Sequence, residues 1–291
     1  MKDMLVESYG LHEVHSYIWS DEKKNSELSI STPENVKIIN AQTPDHRYLR
    51  VSLIPTLLSF VKENKAYDSS YGIFEIGHTV EGLRELDGYC NEKKKLGIAL
   101  YSKTESEEAL FGKLAGTATA LCENILHKTP IFRESEVKFD FQHPANCFTV
   151  SVDGSVIGYL SVPHPTVCAA IDKKCSVAFL EIVTEDFAAI KPAPVSYKLP
   201  SKFPEIEIDL TFSTDIATLK FDEVKTVAKA ASALLSDVYV KDVYYAEDGS
   251  CALTLRFAFV SYERTLTKQE LTPVTESVAA ALAPLGLTVK E

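Results

Sequence analysis

Four prolines fall within KPAPVSYKLPSKFP (Lys191 to Pro204) and divide the chain. Proline fixes φ and donates no backbone hydrogen bond, so this stretch reads as an extended connector and not as a helix or central strand. Each side must then bury a core of its own. The predicted division is a first domain over 1–190, a linker over 191–201 and a second domain over 202–291. With 291 residues and 45% apolar content, two cores are affordable. No run of about 18 apolar residues is present to span a bilayer, and MKDMLVESYG lacks a signal-peptide pattern. The expectation is a cytoplasmic protein that makes no membrane contact, its six cysteines held as reduced core thiols.

The formal net charge is −11, and from Val195 onward ten basic side chains face fourteen acidic ones. Neither half is a basic tail. Phosphate neutralisation needs clustered Lys and Arg, so the balance argues against a free-standing DNA or RNA binder.

In the first domain, Leu53 to Asn64 reads as a helix with Ser52 as N-cap and Ile54, Leu57, Leu58 and Val61 on one face. Tyr71 to Val80 and Leu96 to Tyr101 read as strands, Glu107 to Leu126 as a long amphipathic helix, and Asp153-Gly154 as a two-residue hairpin turn. This predicts an α+β domain with a largely antiparallel sheet. In the second domain Ile206–Ser213, Val238–Tyr245, Cys251–Val260 and Leu287–Lys290 read as strands, with Asp248-Gly249 turning between the second and third. Phe221–Leu235 and Lys268–Leu282 read as helices. The order is βαββαβ, a ferredoxin-like arrangement in which both helices cover one sheet face and leave the other open.

CALTLRFAF alternates with period two, so Leu253, Leu255, Phe257 and Phe259 point to the helices and Thr254, Arg256 and Ala258 to the open face. Thr267 and Glu270 form a Thr-x-x-Glu capping box that starts the last helix. Arg264, in the short connection, either reaches back over the sheet edge or is a solvated loop arginine.

KFPEIEIDLTF (Lys202 to Phe212) followed by LTLRFAF…ERTLTKQE (Leu253 to Glu270) resembles the ferredoxin-fold anticodon-binding domain of phenylalanyl-tRNA synthetase β subunits. Upstream, GLHEVHSYIWSD, LRVSLIPTLLSFVKEN and YGIFEIGHTV resemble the catalytic-like domain of the same subunit, in the same order. The resemblance implies a class II synthetase-like antiparallel domain followed by an anticodon-binding domain, together the C-terminal part of that subunit. It implies an α subunit and tRNA-Phe as partners, no role for DNA, and ATP and Mg2+ in the assembly with no cofactor bound by this chain. It also implies candidate tRNA contacts at Tyr239, Lys241, Tyr245, Thr254, Arg256 and Arg264, and candidate subunit contacts at Arg50, Leu53, Leu57 and Glu75. Two arginines often precede the Asp of the first anticodon-domain strand, and here Glu207 and Ile208 stand in their places. The domains that precede these two in a full-length β subunit are missing, so Met1 reads as the start of a fragment or a shortened protein, without proofreading.

Amino-acid activation in class II synthetases needs guanidinium groups that clamp ATP phosphates. The chain has six arginines (47, 50, 84, 133, 256 and 264), and no two of its twelve glycines are spaced G-x-G. Glu75 in FEIG has no arginine next to it in sequence, which marks it as structural, with an interface role as the alternative. No catalytic residue is expected. Dinucleotide, P-loop and nucleophile-elbow motifs are also absent. His143-x-x-x-Cys147 and His164-x-x-x-Cys168 have donor types that suit zinc, which keeps a zinc-dependent hydrolase as a rival. Each His precedes Pro, however, and that disfavours the helix needed to align the pair, so no metal site is expected. On the open face, Tyr239, Lys241, Arg256 and either Tyr244 or Tyr245, by register, offer aromatic planes and cations for unpaired bases. An ordinary tyrosine-rich strand is the plainer reading, and a shortened paralogue binding RNA or protein is the other alternative.

Overall fold

The computed structural model describes residues 1–195, 197, 199–215, 219–245 and 251–290. The chain forms two compact units, Met1–Val195 and Ser196–Glu291, divided within the proline-containing stretch.

The first unit is built on seven strands: β1 (His12–Glu13), β2 (Ser70–Leu83), β3 (Cys90–Ser102), β4 (Ile131–Glu134), β5 (Gln142–Val152), β6 (Ser155–Pro163) and β7 (Ser176–Val183). Their order is β1-β2-β3-β7-β6-β5-β4; β1 runs parallel to β2 and every other pair is antiparallel. Six helices accompany them: α1 (Lys2–Glu7), α2 (Glu22–Glu27), α3 (Ile54–Glu63), α4 (Glu107–Leu126), α5 (Pro165–Ile171) and α6 (Thr184–Ala189). Period-two alternation sends Leu96, Ile98, Leu100, Ala178, Leu180 and Ile182 to the core under α4, while Ala99, Tyr101, Val177 and Phe179 join the core under α3. A sheet covered on both faces needs apolar residues at consecutive positions, as β3 and β7 have.

Local signals set several boundaries. The Ser106 hydroxyl accepts from Ala109 N–H at the start of α4, and Asp153 and Gly154, with φ of 51° and 80°, turn β5 into β6. Strands β2 and β3 run well beyond the predicted 71–80 and 96–101. The start of α3 also differs from expectation. Leu53, not Ser52, occupies the cap position, and the Glu181 carboxylate accepts the Leu53 N–H at 2.7 Å, while Ser52 Oγ accepts from Ile54 N–H at 3.1 Å. The start of the helix is thus held both by Ser52 and by a carboxylate 128 residues away in sequence.

The second unit comprises β8 (Ile206–Thr214), α7 (Phe221–Ala231), β9 (Leu235–Tyr245), β10 (Cys251–Phe259), α8 (Lys268–Leu282) and β11 (Thr288–Val289). The sheet is antiparallel in the order β11-β8-β10-β9, and Val224, Ala228, Leu271, Val278 and Leu282 from the helices pack on Phe212, Leu253, Leu255, Phe257 and Phe259. The α+β, βαββαβ expectation and the orientation of β10 describe this unit. The Thr267–Glu270 capping box is formed, with Thr267 N–H donating to Glu270 Oε2 at 2.9 Å. Helix α7 stops at Ala231, short of the expected Leu235, because Ser232 is extended (φ −151°, ψ 128°) and Leu235 already belongs to β9. The expected Asp248-Gly249 turn lies outside the described residues.

Two lysines of α7 hold the helix to β9: Lys225 and Lys229 lie 2.8 and 3.0 Å from Asp237 Oδ1. Burial opposes ionisation of Asp237, but hydrogen bonds from these lysines bring its pKa down to about 2. A carboxyl whose folded pKa lies below its unfolded value of about 3.9 adds stability above that value and loses it as pH falls toward the folded one. The melting-temperature gap between wild type and Asp237→Asn should therefore shrink as pH is lowered from about 4 to about 2. Scanning calorimetry across that window measures it; a gap as wide at pH 2 as at pH 6 would discount the ion pairs as its source.

Candidate functional site

The face of the second sheet opposite its helices carries Glu207, Asp209, Thr211 and Ser213 from β8, paired with Ala258, Arg256, Thr254 and Ala252 of β10. Across β10, Ala258 pairs with Asp237, Arg256 with Tyr239, Thr254 with Asp242 and Ala252 with Tyr244. Val240 pairs with Leu255 and Asp242 with Thr254, so Lys241 is the extra residue of a bulge. That bulge corrects one expectation. Unbroken alternation from Tyr239 would put Tyr245 on the open face, but the extra residue moves Tyr244 there and pairs Tyr245 with the buried Cys251 on the helix side. Ala258 belongs to the open face by register, as expected, and is fully buried between its cross-strand neighbours Glu207 and Asp237.

Arg256 and Lys241 are both engaged. Arg256 Nε and Nη2 lie 2.8 and 3.2 Å from Asp209 Oδ1 and Oδ2, and Nη1 lies 2.7 Å from Glu207 Oε2. Lys241 Nζ also pairs with Asp209 Oδ2. The Arg256 and Lys241 hydrogen bonds hold the Asp209 carboxyl far below the usual range, and the guanidinium is raised in turn. Thr254 shares a hydroxyl hydrogen bond of 3.0 Å with Thr211. Tyr239 is exposed, with Lys225 Nζ 5.9 Å from its ring centroid, and the neighbouring Asp237 charge raises its hydroxyl pKa. Arg264, in the connection after β10, pairs through Nη1 with Glu270 at 2.7 Å and so supports the capping box.

In the first unit, Arg50, Leu53, Leu57 and Glu75 are all buried, so none offers surface to a subunit partner in this form. Arg50 is the missing neighbour of Glu75. Its Nη2 lies 2.9 Å from Glu75 Oε1, Nε donates to the His78 carbonyl at 3.0 Å, and Nη1 donates to Ser16 Oγ, which itself donates to Glu75 Oε2 at 2.6 Å. Gly77 leaves the room for this pair: a Cβ there would come within 2.6 Å of Arg50 Nη2 and 2.7 Å of Glu75 Oε1. The Arg of LRVSL and the Glu and Gly of FEIG thus form one interior latch. A second buried cluster went unanticipated. Lys95 Nζ lies 3.4 Å from Glu181 Oε2, and Glu181 also accepts from Ser52 Oγ and Tyr159 Oη. Its sequence signal was a lone Glu inside the apolar run VAFLEIV and a lysine followed directly by LGIAL. Burial and the Glu181 charge push the Tyr159 hydroxyl pKa well up.

Of the arginines in this unit, Arg50 is locked inside, Arg47 faces Glu22 at 2.9 Å, and Arg84 faces Asp87 at 2.8 Å. The histidines of the two His-x-x-x-Cys spacings serve local turns: His143 Nδ1 accepts from the Ala145 and Asn146 N–H groups, and His164 Nδ1 from Thr166 N–H. Burial, then the Glu107 charge, pushes the Cys168 thiol up to about 12. Among the described residues, no three His, Cys, Asp or Glu side chains converge as a metal site requires. Among them, too, no helix is long and apolar enough to cross a membrane.

Residues 1–183 match the phenylalanyl tRNA synthetase beta chain CLM domain, and residues 201–289 match the ferredoxin-fold anticodon binding domain. Similar proteins include three phenylalanine–tRNA ligase beta subunits. That of Syntrophotalea carbinolica is 26% identical over 100% of this chain and 38% of its own length. The Bacillus subtilis subunit is 28% identical over 95% of this chain and 35% of itself, and the Syntrophus aciditrophicus subunit 30% identical over 84% and 31%. The chain spans about a third of the length of these relatives. Two domain matches in succession, the first covering most of the chain, place it in a family: the chain belongs to the phenylalanyl-tRNA synthetase beta chains.

Proposed function

We propose that this chain acts as the C-terminal part of a phenylalanyl-tRNA synthetase β subunit, in the cytoplasm, with an α subunit and tRNA-Phe as its partners. The observation that carries the reading is the succession of a CLM domain and a ferredoxin-fold anticodon-binding domain, the latter with one sheet face bare of helices. In this role the second unit holds the anticodon region against Tyr239, Tyr244, Thr254 and Arg256, where aromatic planes stack bases and the guanidinium meets phosphate. The first unit supports the α subunit, which supplies the ATP- and Mg2+-dependent activation of phenylalanine. Its Arg50 is committed to Glu75 in the interior, and the unit is expected to add no phosphate clamp. With the four expected contact residues buried, the docking surface moves to the open cleft beside the C-terminal end of α3. This cleft, about 510 Å3 in volume, is lined by His12, Phe60, Tyr67 and Tyr71. Apolar, aromatic-rich surface of this kind is what a subunit contact uses.

Sedimentation of the chain with a co-expressed α subunit should show a heteromer at micromolar concentration, weakened by Tyr67→Glu. The chain alone should give no phenylalanine-dependent ATP–pyrophosphate exchange. Exchange by the chain alone, free of host synthetase, or failure of any heteromer to form, would count against the assignment.

A further inference from the structure

The open face of the second unit already holds an anion. Asp209 presents one carboxylate oxygen to Nε of Arg256 and the other to Nη2, the two-pronged geometry with which a guanidinium also grips a phosphate. The same carboxylate takes Lys241, and Glu207 takes the remaining outward edge of Arg256. Asp209 thus occupies both cations of this face at once. Both cations are also reachable, since the Arg256 side chain is 33% exposed and that of Lys241 46%. Solvent-exposed ion pairs are weak enough for an incoming phosphate to displace them.

We propose that Asp209 is a built-in competitor for RNA phosphate: it masks Arg256 and Lys241, and a phosphodiester binds this face by exchanging with it. The proposal rests on the reading of the face as an RNA surface. The competitor explains how an acidic domain can meet a polyanion at all. Arg256 and Lys241 are held by Glu207 and Asp209, and Lys225 and Lys229 by Asp237, so the face offers phosphate no unengaged cation among these four. It accepts a phosphate only where the chain's own carboxylate can be pushed aside and where Tyr239 and Tyr244 offer planes to the adjoining bases. Affinity is held down and left to the geometry of the exchange. Asp209 is therefore a positioning residue that sets how much cation the RNA finds.

The test uses the full chain, its Asp209→Asn, Glu207→Gln and Asp242→Asn variants, and two probes, an RNA hairpin carrying a tRNA-Phe anticodon loop and inorganic tripolyphosphate. Asp209→Asn is nearly isosteric and releases both cations. It should tighten both probes by about tenfold at 0.1 M salt, and steepen the salt dependence of RNA binding by roughly 0.7 per newly contacted phosphate. Glu207→Gln releases only one edge of Arg256 and should give a smaller gain in the same direction. Asp242→Asn makes the same charge change on the same face, but its carboxylate accepts the Val243 N–H and holds neither cation. It should gain no more than about twofold. Equal gains for Asp242→Asn and Asp209→Asn would overturn the proposal in favour of net charge alone, and unchanged or weaker binding of both probes by Asp209→Asn would overturn it outright. Tighter tripolyphosphate binding with no RNA binding by any variant would uphold the masking and remove the RNA reading instead.

Discussion

Replacing Glu75 by alanine is expected to destabilise the first unit by about 3–5 kcal/mol, the typical effect of stranding one partner of a buried ion pair. Arg50 and Glu75 are 4% and 2% exposed at their side chains, so the guanidinium left behind could not be rehydrated without opening the domain. The double variant Arg50→Met, Glu75→Leu should recover most of the loss, since it removes both charges and keeps the volume. Denaturant unfolding followed by fluorescence is specific to this unit, because Trp19 is the chain's one tryptophan. A Glu75→Ala chain that unfolds at the wild-type midpoint would show that the latch does not hold the domain.

The second large effect separates two neighbours on β10. Phe257 is fully buried, meets Phe212 with ring centroids 6.2 Å apart, and faces both helices. Truncation to alanine should cost the second unit about 3–5 kcal/mol through the cavity it leaves. Arg256→Ala breaks only partly exposed ion pairs and should shift stability by no more than about 1 kcal/mol, while weakening RNA binding. Calorimetry of the full chain reads the stability of the second unit, and the Trp19 signal should stay unchanged in both variants. If Arg256→Ala melts like Phe257→Ala, the sheet face is misassigned; if it melts normally and binds RNA as wild type does, the open face is not the RNA surface.

Legibility followed how local the cause of each feature was. Helices α4 and α8 could be read to the residue because Ser106 and the Thr267–Glu270 box announce their starts within one turn. Helix α7 was overextended because Ala-Ala-Ser-Ala-Leu-Leu carries no glycine or proline to stop it, and the end at Ala231 follows from the demand of the sheet for Leu235, which leaves a turn at 233–234. The choice between Tyr244 and Tyr245 stayed open because a bulge without glycine leaves no mark in VYVKDVYY. Arg50 and Glu75 were each singled out, yet their pairing could not be seen, since 25 residues and helix α3 separate them. The neutralised state of Arg256 was hidden for the same reason: Asp209 lies 47 residues away and meets it only through strand register. Residue type was readable, but partnership depended on the assembled sheet.

The strand order of the first unit also bears on its synthesis. Strands β1 to β3 form one consecutive group and β4 to β7 another, and they join only where the last strand made, β7, lies against β3. A chain leaving the ribosome therefore exposes the apolar edge of β3 until residues 176–183 emerge. During that interval Leu96, Ile98 and Leu100 lack their cross-strand neighbours Ile182, Leu180 and Ala178. Such an unpaired edge is a template for wrong pairing, and translation proceeds at only about 5–20 residues per second. Any pause before residues 176–183 have emerged should lengthen the exposure and raise the nascent chain's demand for chaperones.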